Sequence, residues 1–218
     1  MIEQTTLVIA TRNPGKTAEI RQMLEGYPVT VRNLDDFGPI PEVPEDGETF
    51  DQNAYKKASF ASRVLGLPAM ADDSGLCVNA LNRQPGVHSA RFAGPEATDA
   101  DKCAKLLEML KNAGDRAAAF VCVISIAVPT GAALTYEGRC EGVIAQAPAG
   151  ENGFGYDPVF YYPPLEKTFA QLTAEEKNRV SHRGRALAEV RDEFDRILKW
   201  IDLQMPVAEK FSVNHSNQ

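Results

Sequence analysis

Two adjacent carboxylates, Asp72 and Asp73, close a short apolar run and are followed by Ser74 and Gly75. Hard oxygen donors of this kind suit Mg²⁺, which takes one or two protein carboxylates and fills its shell with water and phosphate. The chemistry they point to is phosphate chemistry. The same residue types also make an ordinary polar turn, so the pair alone does not decide. Neighbours in a regular strand face opposite ways, and both carboxylates share one metal only where the chain turns. Ser74-Gly75 predicts such a turn.

A second group lies between an apolar run and an amphipathic stretch. Thr11, Arg12, Asn13, Pro14, Gly15 and Lys16 satisfy a loosened P-loop pattern, with Ala10 where its first glycine stands. A Lys and backbone N–H groups at a helix start bind anionic oxygens. The missing glycine and the imide of Pro14 speak against a true P-loop, and a plain Gly-Lys turn opening a helix has the same pattern. In Gly153-Phe154-Gly155-Tyr156-Asp157-Pro158 two glycines flank an aromatic, a pattern that suits a nucleobase and equally an ordinary loop. Further on, Lys177, His182 and Arg183 sit near helix starts capped by Thr173 and Ser181. Cations there oppose the helix dipole and call for a compensating partner, for which keto oxygens or phosphates of a ligand would serve. His182 is one of three histidines and reads equally as structural.

The elements that would position these groups follow from periodicity. Leu7 to Ala10 reads as a buried strand, and Ile20, Met23 and Leu24 mark a helix after the loop. Residues 35–48, rich in Pro, Gly and acids, read as an exposed loop that folds over something. Thr49 and Gln52 form a predicted capping box for a helix that buries Phe50, Ala54, Ala58, Ala61 and Leu65 and sets Asn53 and Lys57 on one side. Residues 118–128 are continuously apolar, as in a strand covered on both faces; Pro129-Thr130-Gly131 turns into a return strand with one wet face. Helices are predicted around 100–111 and, as one unit, from Ser181 to Ile201. The tail after Met205 lacks periodicity and reads as disordered. The sum is an α/β protein with a mixed sheet: residues 1–205 form a single two-lobed domain around a cleft, and 206–218 a tail.

With 23 Lys and Arg against 30 Asp and Glu, the formal charge is −7, which disfavours a nucleic-acid polymer or an acidic membrane as partner. A small anion remains compatible, because a few cations and a metal reverse the field locally. The four cysteines have no Cys-x-x-Cys spacing and read as reduced thiols. No run reaches membrane-spanning length, and the expectation is a cytoplasmic protein.

In the order Thr-x-Asn-x-x-Lys (11–16), Asn-Ala-x-x-Lys-Ala (53–58), Ala-Asp-Asp-Ser-Gly (71–75), Ser-Ala-Arg-Phe (89–92), Gly-Phe-Gly-Tyr-Asp-Pro (153–158) and Ser-His-Arg-Gly (181–184), the sequence resembles the inosine/xanthosine triphosphate pyrophosphatase family. The resemblance implies an elongated mixed β-sheet with flanking helices, two lobes around a nucleotide-binding cleft, and a homodimer. It implies hydrolysis of ITP, dITP and XTP to the monophosphate and pyrophosphate with one Mg²⁺ per subunit. Asp73 would be the proton acceptor and a metal ligand, with Asp72 and Glu45 as further metal carboxylates. Thr11, Arg12, Asn13, Pro14, Gly15, Lys16, Lys57 and Ser74 would meet the triphosphate. Phe154, Gly155, Tyr156 and Asp157, with Lys177, His182 and Arg183, would surround the base. Gln52 departs from the family, many members of which have Glu there. A P-loop NTPase, a nucleotide-binding module without turnover, and a pyrophosphatase of the Maf type are the competing readings.

Overall fold

A computed structural model describes residues 5–205, so the expectation for the tail after Met205 lies outside the described residues. One seven-stranded sheet organises the chain: β1 (Thr5–Ile9), β2 (Val29–Asn33), β3 (Ala69–Val78), β4 (Ala117–Ala127), β5 (Ala133–Ile144), β6 (Phe160–Tyr162) and β7 (Lys167–Thr168), in the spatial order β2-β1-β3-β4-β5-β6-β7. β1 runs parallel to β2 and β3, and every pairing from β3 onward is antiparallel. The mixed sheet expected from the sequence is present.

Helices cover both faces. α2 (Phe50–Leu65) packs on one face through Ala54, Ala58 and Ala61, whose small side chains let the helix lie close. α1 (Pro14–Met23), α5 (His182–Asp192) and α6 (Phe194–Gln204) take the other face, burying Ile20, Leu187, Val190, Phe194, Ile197 and Ile201 against Leu7, Ile9 and Met70. α3 (Asp99–Met109) closes a second core with Leu76, Val78, Phe120 and Phe160, and the short α4 (Ala174–Val180) leads into α5. β4 is buried along nearly its whole length because it lies beneath both layers, as its unbroken apolar run requires.

Four expectations are corrected. The chain does not turn at Ser74-Gly75: β3 stays paired with β4 residue by residue, from Ala69 opposite Ala127 to Val78 opposite Ala118. Gly75 has another reason to be glycine, since a Cβ there would strike the Gly86 carbonyl and the Ser89 hydroxyl, the close backbone approach that a glycine inside a strand marks. The predicted last helix is two, α5 and α6, broken at Glu193; the apolar face continues across the break, which is why the pattern reads as one. At the start of α2, Thr49 does accept from the Gln52 N–H (3.2 Å), but the Gln52 side chain accepts from Glu48 N (2.7 Å) rather than closing the box on Thr49. The helix also begins earlier than expected after the first loop, at Pro14.

α5 is seated by Gly138 of β5, where a Cβ would collide with the His182 carbonyl and the Ala186 amide. Gly138→Ala should therefore cost about 1–3 kcal/mol, the usual range for overpacking, and lower Tm by about 2–4 °C per kcal/mol. A calorimetric melt identical to that of the parent chain would show that α5 is not held this tightly.

Candidate functional site

Strict alternation along β3 sends Asp73 toward α2 and Asp72 toward α1 and α5. On the α2 side, Asp73 Oδ2 accepts from Asn53 Nδ2 at 3.2 Å and Oδ1 from Lys57 Nζ at 3.3 Å. The amide of Asn53 is oriented because its Oδ1 accepts from Gly47 N (2.8 Å), leaving the NH₂ for Asp73. The four-residue spacing read from the sequence thus aims both side chains at one carboxylate. Lys57 also reaches Glu45 Oε1 at 2.7 Å, drawing in the 38–49 segment, which is further strapped by Arg12 Nη2 donating to the Ile40 carbonyl (2.6 Å) and Arg91 Nη2 to the Glu45 carbonyl (2.9 Å). Burial pushes the Asp73 carboxyl above its usual range, with Lys57 opposing and Glu45 adding to the rise. Burial also works against the Lys57 charge, yet Asp73, Glu45 and Asp72 outweigh it and hold the ammonium protonated.

On the other face Asp72 is a hub of cations. Its Oδ2 lies 2.8 Å from Lys16 Nζ and 3.3 Å from Arg183 Nη2, and Ser74 Oγ donates to it at 3.2 Å. Arg183 also donates to Ser74 Oγ (3.2 Å) and reaches Glu19 Oε2 (3.4 Å). Burial alone would raise the Asp72 pKa; Lys16 and Arg183 override it and hold the carboxylate far below the usual range. Two expectations change here. Asp72 does not join Asp73 and Glu45 in a common metal site, and no group of three His, Cys, Asp or Glu side chains suited to a metal gathers among the described residues. The partner that Arg183 needs at the start of α5 is Asp72 of the protein itself, not a ligand.

Of the first loop, Thr11, Arg12 and Lys16 border a cavity of about 570 Å³ that Glu45, Lys57 and Asp72 also line, while Asn13 borders a different cavity and Pro14 and Gly15 border neither. The loop's helix start is already capped: Asn13 Oδ1 accepts from Gly15 N (2.9 Å) and Lys16 N (3.2 Å), while Thr11 Oγ1 accepts from Asn13 N (3.2 Å). Pro14 is the first residue of the helix. The N–H cradle expected of this loop is therefore occupied internally, and the charge it offers to solvent comes from Lys16 and the half-exposed Arg12.

A second cavity, of about 420 Å³, brings together Phe154, Gly155, Tyr156, Asp157, Lys177, His182 and Arg183, all seven of the residues expected around a base, and Ser74 opens onto it. Lys177 pairs with Asp157 and lies 4.5 Å from the centre of the Phe154 ring. Asp157 also accepts from Phe154 N (2.8 Å), and burial raises its pKa against the pull of Lys177. Phe154 is 51% exposed and offers a free face; Tyr156 is buried, with its hydroxyl donating to the Ser89 carbonyl (2.9 Å). His182 stacks on Phe120 at 4.6 Å and 11°. Its burial pushes the imidazole pKa well below 6.5, and its Nδ1 has no hydrogen-bond partner among the described residues. Lys16 borders both cavities.

Sequence reasoning missed Phe120, hidden in an apolar strand, and Asp99 and Lys102, which read as ordinary acid and base of a helix start yet line the second cavity. It also gave no role to Arg91, although the Ser-Ala-Arg-Phe motif contains it.

Residues 7–193 match the Ham1 family. The chain is 62% identical over 200 residues to a dITP/XTP pyrophosphatase of Syntrophobacter fumaroxidans, spanning 92% of this chain and 86% of that one. It is 54% identical to a dITP/XTP pyrophosphatase of Desulfotalea psychrophila over 96% and 94% of the two chains. The solved structure of a HAM1 protein from Coxiella burnetii superposes with a TM-score of 0.85 at 43% identity, across 88% of this chain and 99% of that one.

His182 makes stability depend on pH. Its folded pKa lies below the 6.5 of the unfolded chain, so below pH 6.5 the unfolded state binds the extra proton and stability falls with pH until the folded pKa is reached. Urea unfolding should lose about 1 kcal/mol from this group between pH 6.5 and 5.5, and His182→Gln should flatten the profile by that amount. Parallel profiles for the two proteins would refute a neutral, buried imidazole.

Proposed function

The chain belongs to the Ham1 family, and from that premise we propose that it is a nucleoside triphosphate pyrophosphohydrolase acting on dITP, XTP and ITP, which it keeps out of DNA and RNA. The observation that carries this reading is Lys16, which borders both a cavity lined by charged groups and a cavity lined by aromatic and donor groups. A molecule with an anionic chain and a flat, keto-bearing head fits that pair. On the same reading the enzyme is a single two-lobed domain over residues 1–205 that works in the cytoplasm as a homodimer. The acidic balance of the chain favours a small-molecule nucleotide as its partner over a polymer or a membrane.

Asp73 is the proton acceptor. A water oxygen bonds to the α-phosphorus, the bond from that phosphorus to the bridging oxygen breaks, and the electron pair leaves on pyrophosphate while the water's proton passes to Asp73. In the metal-free protein burial lifts this carboxylate above its usual range, which favours proton acceptance. Asn53 and Lys57 fix its orientation, so little reorganisation is needed as the water attacks. Lys16, Arg12 and Lys57 meet the triphosphate charge with side chains, in line with the capped state of the loop amides. Mg²⁺, one per subunit, fits Asp73 and Glu45: both carboxylates already converge on one cation, Lys57, and two protein carboxylates are what this ion asks for. When bound it supplies charge stabilisation to the phosphoryl oxygens.

The base end selects by hydrogen bonding. Lys177 and Arg183, with the neutral His182, face a cavity in which a 6-keto group would find donors. The 6-amino group of adenine would leave a buried donor unpaired, worth about 1–3 kcal/mol of discrimination.

Incubation of the purified protein with Mg²⁺ and, separately, ITP, XTP, ATP and GTP should give inosine and xanthosine monophosphates with pyrophosphate, and little loss of ATP or GTP, by chromatography. Release of nucleoside diphosphate and orthophosphate would replace this reading with an NTPase. Asp73→Asn should reduce kcat at least about 10²-fold with an unchanged melting temperature, as expected for loss of a general base; near-normal turnover would remove Asp73 from that role.

A further inference from the structure

The Gly153–Asp157 turn presents Phe154 to the second cavity from a backbone that is intrinsically loose. Gly153 and Gly155 both have left-handed φ, at +79° and +64°, and glycine pays more backbone entropy on ordering than any other residue. From within, Asp157 and Lys177 hold the turn. From outside it is gripped by another element. Asp99 Oδ2 accepts from Gly155 N at 2.6 Å, and one turn along α3 Cys103 Sγ donates to the Gly155 carbonyl at 3.4 Å. Lys102 Nζ, 2.7 Å from Asp99 Oδ1, occupies the other carboxylate oxygen and so fixes which one faces the turn. Both backbone polar groups of a single glycine residue are thus taken by the first two turns of α3.

We infer that Asp99, seconded by Cys103 and oriented by Lys102, is a positioning residue for nucleobase binding, setting Phe154 in the stacking position before the substrate arrives. The inference rests on the function proposed above and extends it to a part of the chain with no contact to the reacting phosphate. Without the grip the turn populates other conformers, and affinity falls by the fraction that remains competent. The loss lies in KM, because the chemistry at Asp73 is untouched.

Asp99→Ala should raise KM for ITP about tenfold, the scale of one stacked base, with kcat within about twofold. Asp99→Asn, which keeps an acceptor for Gly155 N, should recover most of the loss, and Cys103→Ser should stay near the parent value. A merely structural effect would be the same in any background. Here Asp99→Ala should add less than about twofold once Phe154→Ala has removed the ring it positions. Equal effects of Asp99→Ala with and without Phe154, or a fall in kcat at constant KM, would overturn the inference. Calorimetric titration of the parent, Asp99→Ala, Phe154→Ala and the double variant with ITP yields the coupling independently of turnover. Loss of the proposed activity in the parent protein would therefore sink the functional reading while leaving this cycle decidable.

Discussion

The two-residue period of β3 is the constraint on which the site depends. Had the chain turned after Asp73, two carboxylates would crowd one place and repel. Held instead in an unbroken ladder with β4, they are separated by the sheet, each with its own set of cations. Asp72 gathers Lys16 of α1 and Arg183 of α5, and Asp73 gathers Lys57 and Asn53 of α2. The two environments push their pKa values in opposite directions, down at Asp72 and up at Asp73. One carboxylate becomes a permanent anion that organises donors; the other is the one assigned as base in the proposed reaction.

Burial makes this arrangement demanding. A buried guanidinium is costly unless it is paired and its hydrogen bonds are met, and Arg183 meets that condition through Asp72, Ser74 and Glu19, three groups from two elements. The contacts in turn fix where α5 starts, and the absent Cβ of Gly138 lets its backbone approach the sheet. His182 precedes Arg183 and is carried into the core against Phe120, where it stays neutral because burial penalises its charge and the neighbouring Arg183 and Lys177 repel a further cation. The position of His182 therefore follows from one ion pair between α5 and the sheet, and its protonation state from the burial that position imposes.

Local signals in the sequence were legible where the interaction is local. Asn53 and Lys57, four apart on a helix, do share a target, and the apolar run of β4 is covered on both faces as read. The glycine-flanked Phe154 does sit exposed beside a cavity, as a ring available to a flat ligand would. What escaped is what depends on distant chain. Asp-Asp-Ser-Gly has the composition of a turn, and only the approach of residues 86–89 explains Gly75 inside a strand. The cations of α5 looked unpartnered because Asp72 is more than a hundred positions away. Phe120 is indistinguishable by type from its core neighbours, and Asp99 from any acid at a helix start, until the fold brings Gly155 to it.

The first loop shows how the proposed chemistry differs from that of a P-loop. There, free amides at a helix start cradle phosphate. Here Asn13 spends two of those amides on its own cap, and Lys16 is the loop cation placed between the cavities. Lys16 is also bound to Asp72, so phosphate charge must compete with a carboxylate for it. The competition has a compensating feature: as Lys16 leans toward phosphate, Asp72 keeps Arg183 and the Ser74 hydroxyl and is not left as an unpaired buried charge. A redundantly paired anion can share its lysine at low cost, whereas a single ion pair would have to be broken. The surplus of donors around Asp72 is thus what would allow one side chain to serve the fold and, on the proposed reading, the substrate as well.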